Sequence, residues 1–144
     1  MKFETLQDLV YFIVGALYDT HKELGPGLNE YVYQEGLEVE FKHKLIHYER
    51  EKEFHPLYRG IELNATYRVD FVCYNKVIIE CKAVKKIIPE HRAQLFNYMR
   101  LTKKEAGILV NFAPRYMEIE RYFYNPEKNE MYTHDGKIFV IENE

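Results

Sequence analysis

The sequence predicts an α/β fold in which a mixed β-sheet lies between α-helices. The apolar run 106–112 is typical of a strand that is buried on both faces. A strand at 77–83 and a helix at 90–102 precede it, and this order predicts a right-handed crossover between two parallel strands. The length of 144 residues, with 47% hydrophobic and 30% charged residues, fits one domain with a single core.

Two helices are predicted at the start of the chain. From Thr5 to Glu23, apolar residues recur at the i, i+3, i+4 and i+7 spacing of an amphipathic helix. The Gly-Pro-Gly stretch 25–27 ends this helix, because glycine adopts the left-handed C-terminal conformation and proline cannot continue the hydrogen bonding. A second helix is expected from the N-cap Asn29 to about Lys44.

Three strands and a third helix follow these helices. Residues 46–54 alternate in character, which predicts a mostly polar strand at the edge of the sheet. Residues 67–73 and 77–83 form a predicted hairpin around the short loop 74–76. Pro89 marks the first turn of the helix that leads to the strand 106–112.

The end of the chain predicts further strands. Residues 117–124 alternate, and Asp135-Gly136 marks a hairpin within residues 130–142. We therefore expect one domain over residues 1–144, with a β-rich extension from 113 to 144.

Composition bounds the functional class. No apolar stretch approaches the ~20 residues that a membrane span needs, and the N-terminus lacks the features of a signal peptide. A cytoplasmic protein is therefore expected. The two cysteines, Cys73 and Cys81, are too few for a thiolate metal cluster, and the predicted register does not place them opposite each other.

Charge is distributed unevenly along the chain. The formal net charge is -3, yet residues 76–104 carry 8 basic and 2 acidic side chains. A solvated helix face explains such a cluster, and a binding surface for a polyanion also explains it. If the second explanation holds, Lys85, Lys86 and Arg92 are the expected contacts to a nucleic-acid backbone.

Two acids and a lysine are expected on one face of the hairpin. Side chains alternate across a strand, so Glu80 and Lys82 share a face. A three-residue loop places Asp70 directly opposite Glu80, whereas a loop one residue shorter or longer separates them. Mg²⁺ binds paired carboxylates together with water, and a salt bridge to Lys82 is the competing explanation.

The order of these residues resembles a known enzyme superfamily. Asp70 followed by Glu80-Cys81-Lys82 on the next strand is similar to the signature of the PD-(D/E)xK nucleases, whose fold is restriction-endonuclease-like. Residues 27–33 resemble the G-x-x-E-x-x-Y stretch of the GxxExxY protein family, and the similarity spans about residues 6–112. Val69 stands where the superfamily has proline. Gln94 and Tyr98 resemble the Q-x-x-x-Y element of RecB-type exonucleases.

The resemblance implies roles for individual residues. Asp70 and Glu80 are implied as metal-binding carboxylates, Lys82 as the catalytic lysine, and Glu30 as a further metal-binding acid. Glu30 can equally be a first-turn acid that interacts with the helix N-terminus. Gln94 is expected to position the lysine or the phosphate, and a phosphate contact is implied for Tyr98, since i and i+4 share one helix face.

These residues together predict a Mg²⁺- or Mn²⁺-dependent nuclease that hydrolyses phosphodiester bonds, with DNA favoured over RNA as substrate. A homodimer is a further expectation, because two copies can grip a longer duplex. The competing hypothesis is a non-catalytic module with a nuclease fold that binds nucleic acid or a protein partner.

Overall fold

The three helices lie close to where the sequence predicts them. Helix α1 spans Leu6–Leu24, and the Thr5 hydroxyl accepts a hydrogen bond from its first turn. Helix α2 spans Glu30–His43 and is capped in the same way by Asn29. Helix α3 spans Pro89–Thr102, with proline in its first turn. The structure, a computed structural model, describes residues 3–133, 135 and 138–140.

Strands within the described residues form one mixed sheet and one small hairpin. In chain order they are β1 (Tyr48–Phe54), β2 (Leu57–Tyr58), β3 (Ile61–Glu62), β4 (Tyr67–Cys73), β5 (Val77–Lys82), β6 (Ala106–Asn111), β7 (Glu118–Asn125), β8 (Glu130–Thr133) and β9 (Ile138–Val140). The large sheet has seven strands in the order β1-β4-β5-β6-β7-β8-β9, and β2 pairs with β3 alone. Strand β1 lies at an edge of the sheet, as its alternating charges predict.

The pairing of strands confirms the predicted fold class. Strands β5 and β6 are parallel, while β4 and β5 form an antiparallel hairpin. Helices α1 and α2 share one apolar cluster with a face of the sheet, in which Ile13, Leu37 and Ile79 are fully buried. Helix α3 contributes Leu95 and Met99 to a second cluster. The mixed sheet therefore lies between two helical layers, consistent with the restriction-endonuclease-like fold that the resemblance implies.

The segment between β1 and β4 forms a short hairpin that the sequence pattern does not predict. Arg59 and Gly60 both have positive φ and connect β2 to β3 by a two-residue turn. The apolar residues of this hairpin stay exposed, and Ile61 keeps 68% of its surface accessible. Alternation alone did not reveal the hairpin, because strands of two residues are too short to show a period.

The C-terminal strands continue the large sheet. Strand β7 pairs antiparallel with β6, and β8 and β9 extend the sheet from β7. The predicted hairpin joins β8 to β9, but Gly136 of the predicted turn lies outside the described residues. Among the described residues, no helix is both long and apolar enough to cross a membrane.

Close packing of α3 on β6 depends on Gly107. A Cβ atom at this residue would lie 2.5 Å from Met99 Sδ and 3.0 Å from Leu95 Cδ1. We predict that Gly107→Ala lowers the free energy of unfolding by about 1–3 kcal/mol, since overpacking forces side chains out of their preferred rotamers. Chemical denaturation measures the change.

The matched control for that variant is Gly15→Ala within α1. A Cβ atom there meets nothing within 4 Å, so this change is expected to stabilise the protein by about 0.5–1 kcal/mol through helix propensity. Equal effects of the two substitutions would contradict the packing explanation.

Candidate active site

The register of the β4–β5 hairpin sets the positions of the two acids. Cys73 pairs with Val77 and Phe71 pairs with Ile79, which confirms the predicted three-residue loop. In this register Asp70 lies opposite Glu80. Both cysteines are buried and free.

Regular strand pairing changes at Asp70, and the two carboxylates replace it. The Asp70 backbone N–H donates to Glu80 Oε1 at 3.2 Å, and the Cys81 N–H donates to Asp70 Oδ2 at 2.7 Å. On the other side of β4, Glu51 has a φ of 53° where β1 passes Asp70. Each carboxylate is thus held by the backbone beside the other acid, and both lie on one side of the hairpin.

Burial makes this pair of like charges unfavourable. Glu80 is 4% exposed, and its pKa is raised to about 8, first by desolvation and then by the neighbouring Asp70. Desolvation also raises the pKa of Asp70, against the opposing effects of the Cys81 N–H and of Lys82. The pair therefore lacks full charge compensation from the protein and favours a proton or a cation.

Helix α3 holds Lys82 next to the acids. Lys82 Nζ donates to Gln94 Oε1 at 3.1 Å, and Gln94 Nε2 donates to the Tyr98 hydroxyl at 3.1 Å. The Tyr98 ring stacks on Tyr67, with ring centroids 5.3 Å apart and planes inclined by 7°. The i, i+4 spacing of Gln94 and Tyr98 thus produces a chain of contacts that fixes the amine of Lys82.

Glu30 reaches the same region from the start of α2. Asp70 and Glu80 are close enough for electrostatic interaction with it, and partial burial followed by Asp70 raises the Glu30 pKa. The Glu30 side chain is thus partly buried, although the residue as a whole is exposed. Glu30 is therefore both a first-turn acid of α2 and a member of the acidic group.

The G-x-x-E-x-x-Y stretch builds the loop before Glu30. Gly27 has a φ of 80°, and its N–H donates to the Ala113 carbonyl at 2.9 Å, just beyond β6. Tyr33 is fully buried; its hydroxyl donates to the Gly25 carbonyl and accepts from the Leu28 N–H. The glycine and the tyrosine of the motif thus fix the loop that presents the acid.

The donor set at the site is suited to a hard cation that keeps water ligands. In the part of the chain that the structure describes, no three His, Cys, Asp or Glu side chains converge as a complete metal cage. Asp70 and Glu80 each use one carboxylate oxygen on the backbone, which leaves the other oxygen available. Two such carboxylates completed by water and phosphate oxygens match the coordination that Mg²⁺ prefers.

The basic residues predicted to contact nucleic acid differ in their surroundings. Lys85 and Lys86 are exposed on the loop between β5 and α3. Asn111, fully buried, bonds to both the N–H and the carbonyl of Val84 and anchors this loop. Arg92, in contrast, forms two hydrogen bonds to the Glu120 carboxylate at 2.6 and 2.7 Å, so its charge is already paired within the protein.

Sequence reasoning missed a polar network that joins α2 to β1. Gln34 contacts Glu30, and Arg50 contacts both Gln34 and Glu38. The i, i+4 spacing of Glu30, Gln34 and Glu38 was the available signal. The alternation of residues 46–54 predicts which residues share a face with Arg50, but its partners on another element could not be read from periodicity.

Comparisons with known proteins define the class. Residues 7–122 match the PD-(D/E)XK nuclease superfamily, and the chain belongs to this superfamily. It is also similar to a solved structure, "Crystal structure of SSO0001", with 29% sequence identity and a TM-score of 0.50. That match covers 62% of this chain and 48% of the other, so it spans about half of that protein's length. No curated protein matches the chain.

The raised pKa of Glu80 predicts a pH-dependent stability in metal-free protein. Its folded-state pKa of about 8 exceeds the ordinary value of 4.5, so between these values the folded protein holds a proton that the unfolded chain releases. The contribution of Glu80 to the free energy of unfolding therefore falls as the pH rises from about 5 to about 8. Glu80→Gln removes this dependence. The free energy of unfolding of the variant therefore exceeds that of wild type by a growing margin as the pH rises across that range.

Urea denaturation in the presence of a chelator at several pH values measures this effect. Glu35→Gln on the exposed face of α2 is the matched control and is expected to leave the difference from wild type constant. If the Glu80→Gln variant is no more stable than wild type at pH 8, ionisation of Glu80 does not destabilise the folded protein.

Proposed function

We propose that this protein is a Mg²⁺- or Mn²⁺-dependent nuclease that hydrolyses phosphodiester bonds in nucleic acid. The observation that carries the proposal is the Asp70–Glu80 pair, in which Asp70 is partly buried and Glu80 buried, beside the anchored amine of Lys82. Superfamily membership supports this class of reaction. Within the superfamily, the Gly27 to Tyr33 stretch and the Gln94–Tyr98 pair are the features that support assignment to the GxxExxY family with a RecB-type element.

Each residue has a distinct part in the proposed mechanism. Asp70 and Glu80 hold the cation, with Glu30 as an additional acid open to solvent. A divalent cation at such a site neutralises charge on a phosphoryl oxygen and lowers the pKa of a water molecule. Lys82 donates hydrogen bonds to the attacking water or to the phosphate as negative charge develops, and Gln94 keeps its amine in place.

Substrate contacts extend from the site along the basic loop. Lys85 and Lys86 follow Lys82 within four residues and are exposed, so they can reach backbone phosphates next to the bond that is cleaved. Arg92 is assigned a structural part through Glu120. Tyr98 lies behind Gln94 and stacks on Tyr67, so its contribution to binding acts through the position of Lys82.

The first test compares variants of the acids and the lysine. Asp70→Asn, Glu80→Gln and Lys82→Ala are each expected to lower the cleavage rate by more than about 100-fold, since each removes a charge needed in the transition state. The assay uses single-stranded, double-stranded and flapped DNA and RNA with Mg²⁺ or Mn²⁺. Lys22→Ala, an exposed residue of α1, is the control.

Two results would contradict the proposal. One is the absence of both cleavage and divalent-ion binding in wild type. The other is cleavage that Asp70→Asn leaves unchanged. Metal-independent binding of nucleic acid without cleavage would instead support the non-catalytic module.

A second test addresses the basic loop. The double variant Lys85→Ala/Lys86→Ala is expected to weaken binding to a DNA duplex and to reduce the slope of log K against log salt by about 2, since each phosphate contact contributes roughly 0.9. Fluorescence anisotropy over a salt series measures the slope. Lys22→Ala/Lys42→Ala, which removes two exposed lysines from α1 and α2, should leave it unchanged; equal slopes for both pairs would refute the assignment.

A further inference from the structure

A chain of polar contacts leads from the edge strand β1 to Glu30. The Tyr48 hydroxyl donates to Glu38 Oε2 at 2.9 Å, and Arg50 Nη1 pairs with Glu38 Oε1 at 3.3 Å. Arg50 Nη2 donates to Gln34 Oε1 at 3.3 Å, and Gln34 Nε2 donates to Glu30 Oε2 at 3.3 Å. These contacts end on one oxygen of an acid that the proposed function assigns to the metal site.

The direction of this chain is fixed by chemistry. Arginine has only hydrogen-bond donors, so the side of the Gln34 amide that faces Arg50 must be its carbonyl oxygen. The amide nitrogen then points to Glu30, and its N–H bonds require an acceptor there. Gln34 is 6% exposed, so water offers little competition for these bonds.

Arg50 keeps a fixed position in which one of its donors has no hydrogen-bond partner. Its Nε atom is buried and has no hydrogen-bond partner in the structure, which costs free energy for a charged donor group. The guanidinium lies over the Tyr31 ring, 5.5 Å from the centroid, next to Glu30 in the chain. The side chain is thus held in one pose that serves its contacts with Gln34 and Glu38.

We propose that Gln34, braced by Arg50 and Glu38, is a positioning residue that orients the Glu30 carboxylate toward the metal site. This inference rests on the proposed function. One oxygen of Glu30 is held by Gln34, and the other is left for the cation or for a water molecule bound to it. Partners of this kind set ligand orientation, and their loss typically weakens metal affinity by about 10–100-fold.

The test is a double-mutant cycle on Mn²⁺ binding, measured by isothermal titration calorimetry with the full chain. Gln34→Leu is expected to weaken Mn²⁺ binding about tenfold, and Glu30→Gln to weaken it at least as much. If Gln34 acts through Glu30, the double variant binds Mn²⁺ no more weakly than Glu30→Gln alone. Glu35→Leu, which changes the exposed neighbour on α2, is the control and should bind like wild type.

Additive losses in the double variant would overturn the inference, as would unchanged affinity in Gln34→Leu. Arg50→Lys is the second variant, and it decides the question if Gln34→Leu fails to fold. Lysine keeps the charge but cannot bridge two acceptors with a planar fork. If Arg50→Lys weakens Mn²⁺ binding in wild type but has no effect in the Glu30→Gln background, the inference is supported. If Arg50→Lys leaves Mn²⁺ affinity unchanged in wild type, the inference is refuted. Wild-type protein that binds no Mn²⁺ would contradict the proposed function itself.

Discussion

Two carboxylates of like charge face each other inside the sheet, and the architecture of the site follows from the need to hold them there. Each acid accepts a hydrogen bond from a backbone N–H of the opposite strand: Glu80 from Asp70, and Asp70 from Cys81. Regular strand pairing changes at this position. Desolvation and the repulsion from Asp70 raise the pKa of Glu80, so the doubly ionised pair is unfavourable without a positive charge nearby. Protonation, a bound cation or an ion pair with Lys82 would each relieve this repulsion, and the proposed hydrolysis of phosphodiesters depends on the bound cation.

Side chains from three layers converge on this pair. The sheet supplies Asp70, Glu80 and Lys82, α3 supplies Gln94 against the amine, and α2 presents Glu30. In the loop before α2, the Gly27 N–H donates a hydrogen bond to the chain just after β6, and the Tyr33 hydroxyl donates one to the Gly25 carbonyl. Each functional group is thus held by elements that belong to the buried cores, so site geometry and fold stability share the same packing.

Much of the fold could be predicted because the relevant signals are local. The Asn29 cap, the apolar run of β6 and the three-residue loop of the hairpin each determine structure within a few residues. The network through Arg50 could not be predicted, since its partners lie on another element and periodicity carries no pairing information. Likewise, the ion pair of Arg92 with Glu120 depends on β7 lying beside β6 under α3.

The proposed mechanism depends on the joint binding of one divalent cation by Asp70 and Glu80. The most direct measurement is anomalous X-ray scattering at the manganese edge from crystals grown with Mn²⁺. We expect a single strong peak about 2.0–2.2 Å from a carboxylate oxygen of each acid, in line with hard-cation coordination by oxygen. A crystal saturated with Mn²⁺ that shows no peak between these carboxylates, while Lys82 instead forms a salt bridge with them, would contradict joint cation binding by the two acids.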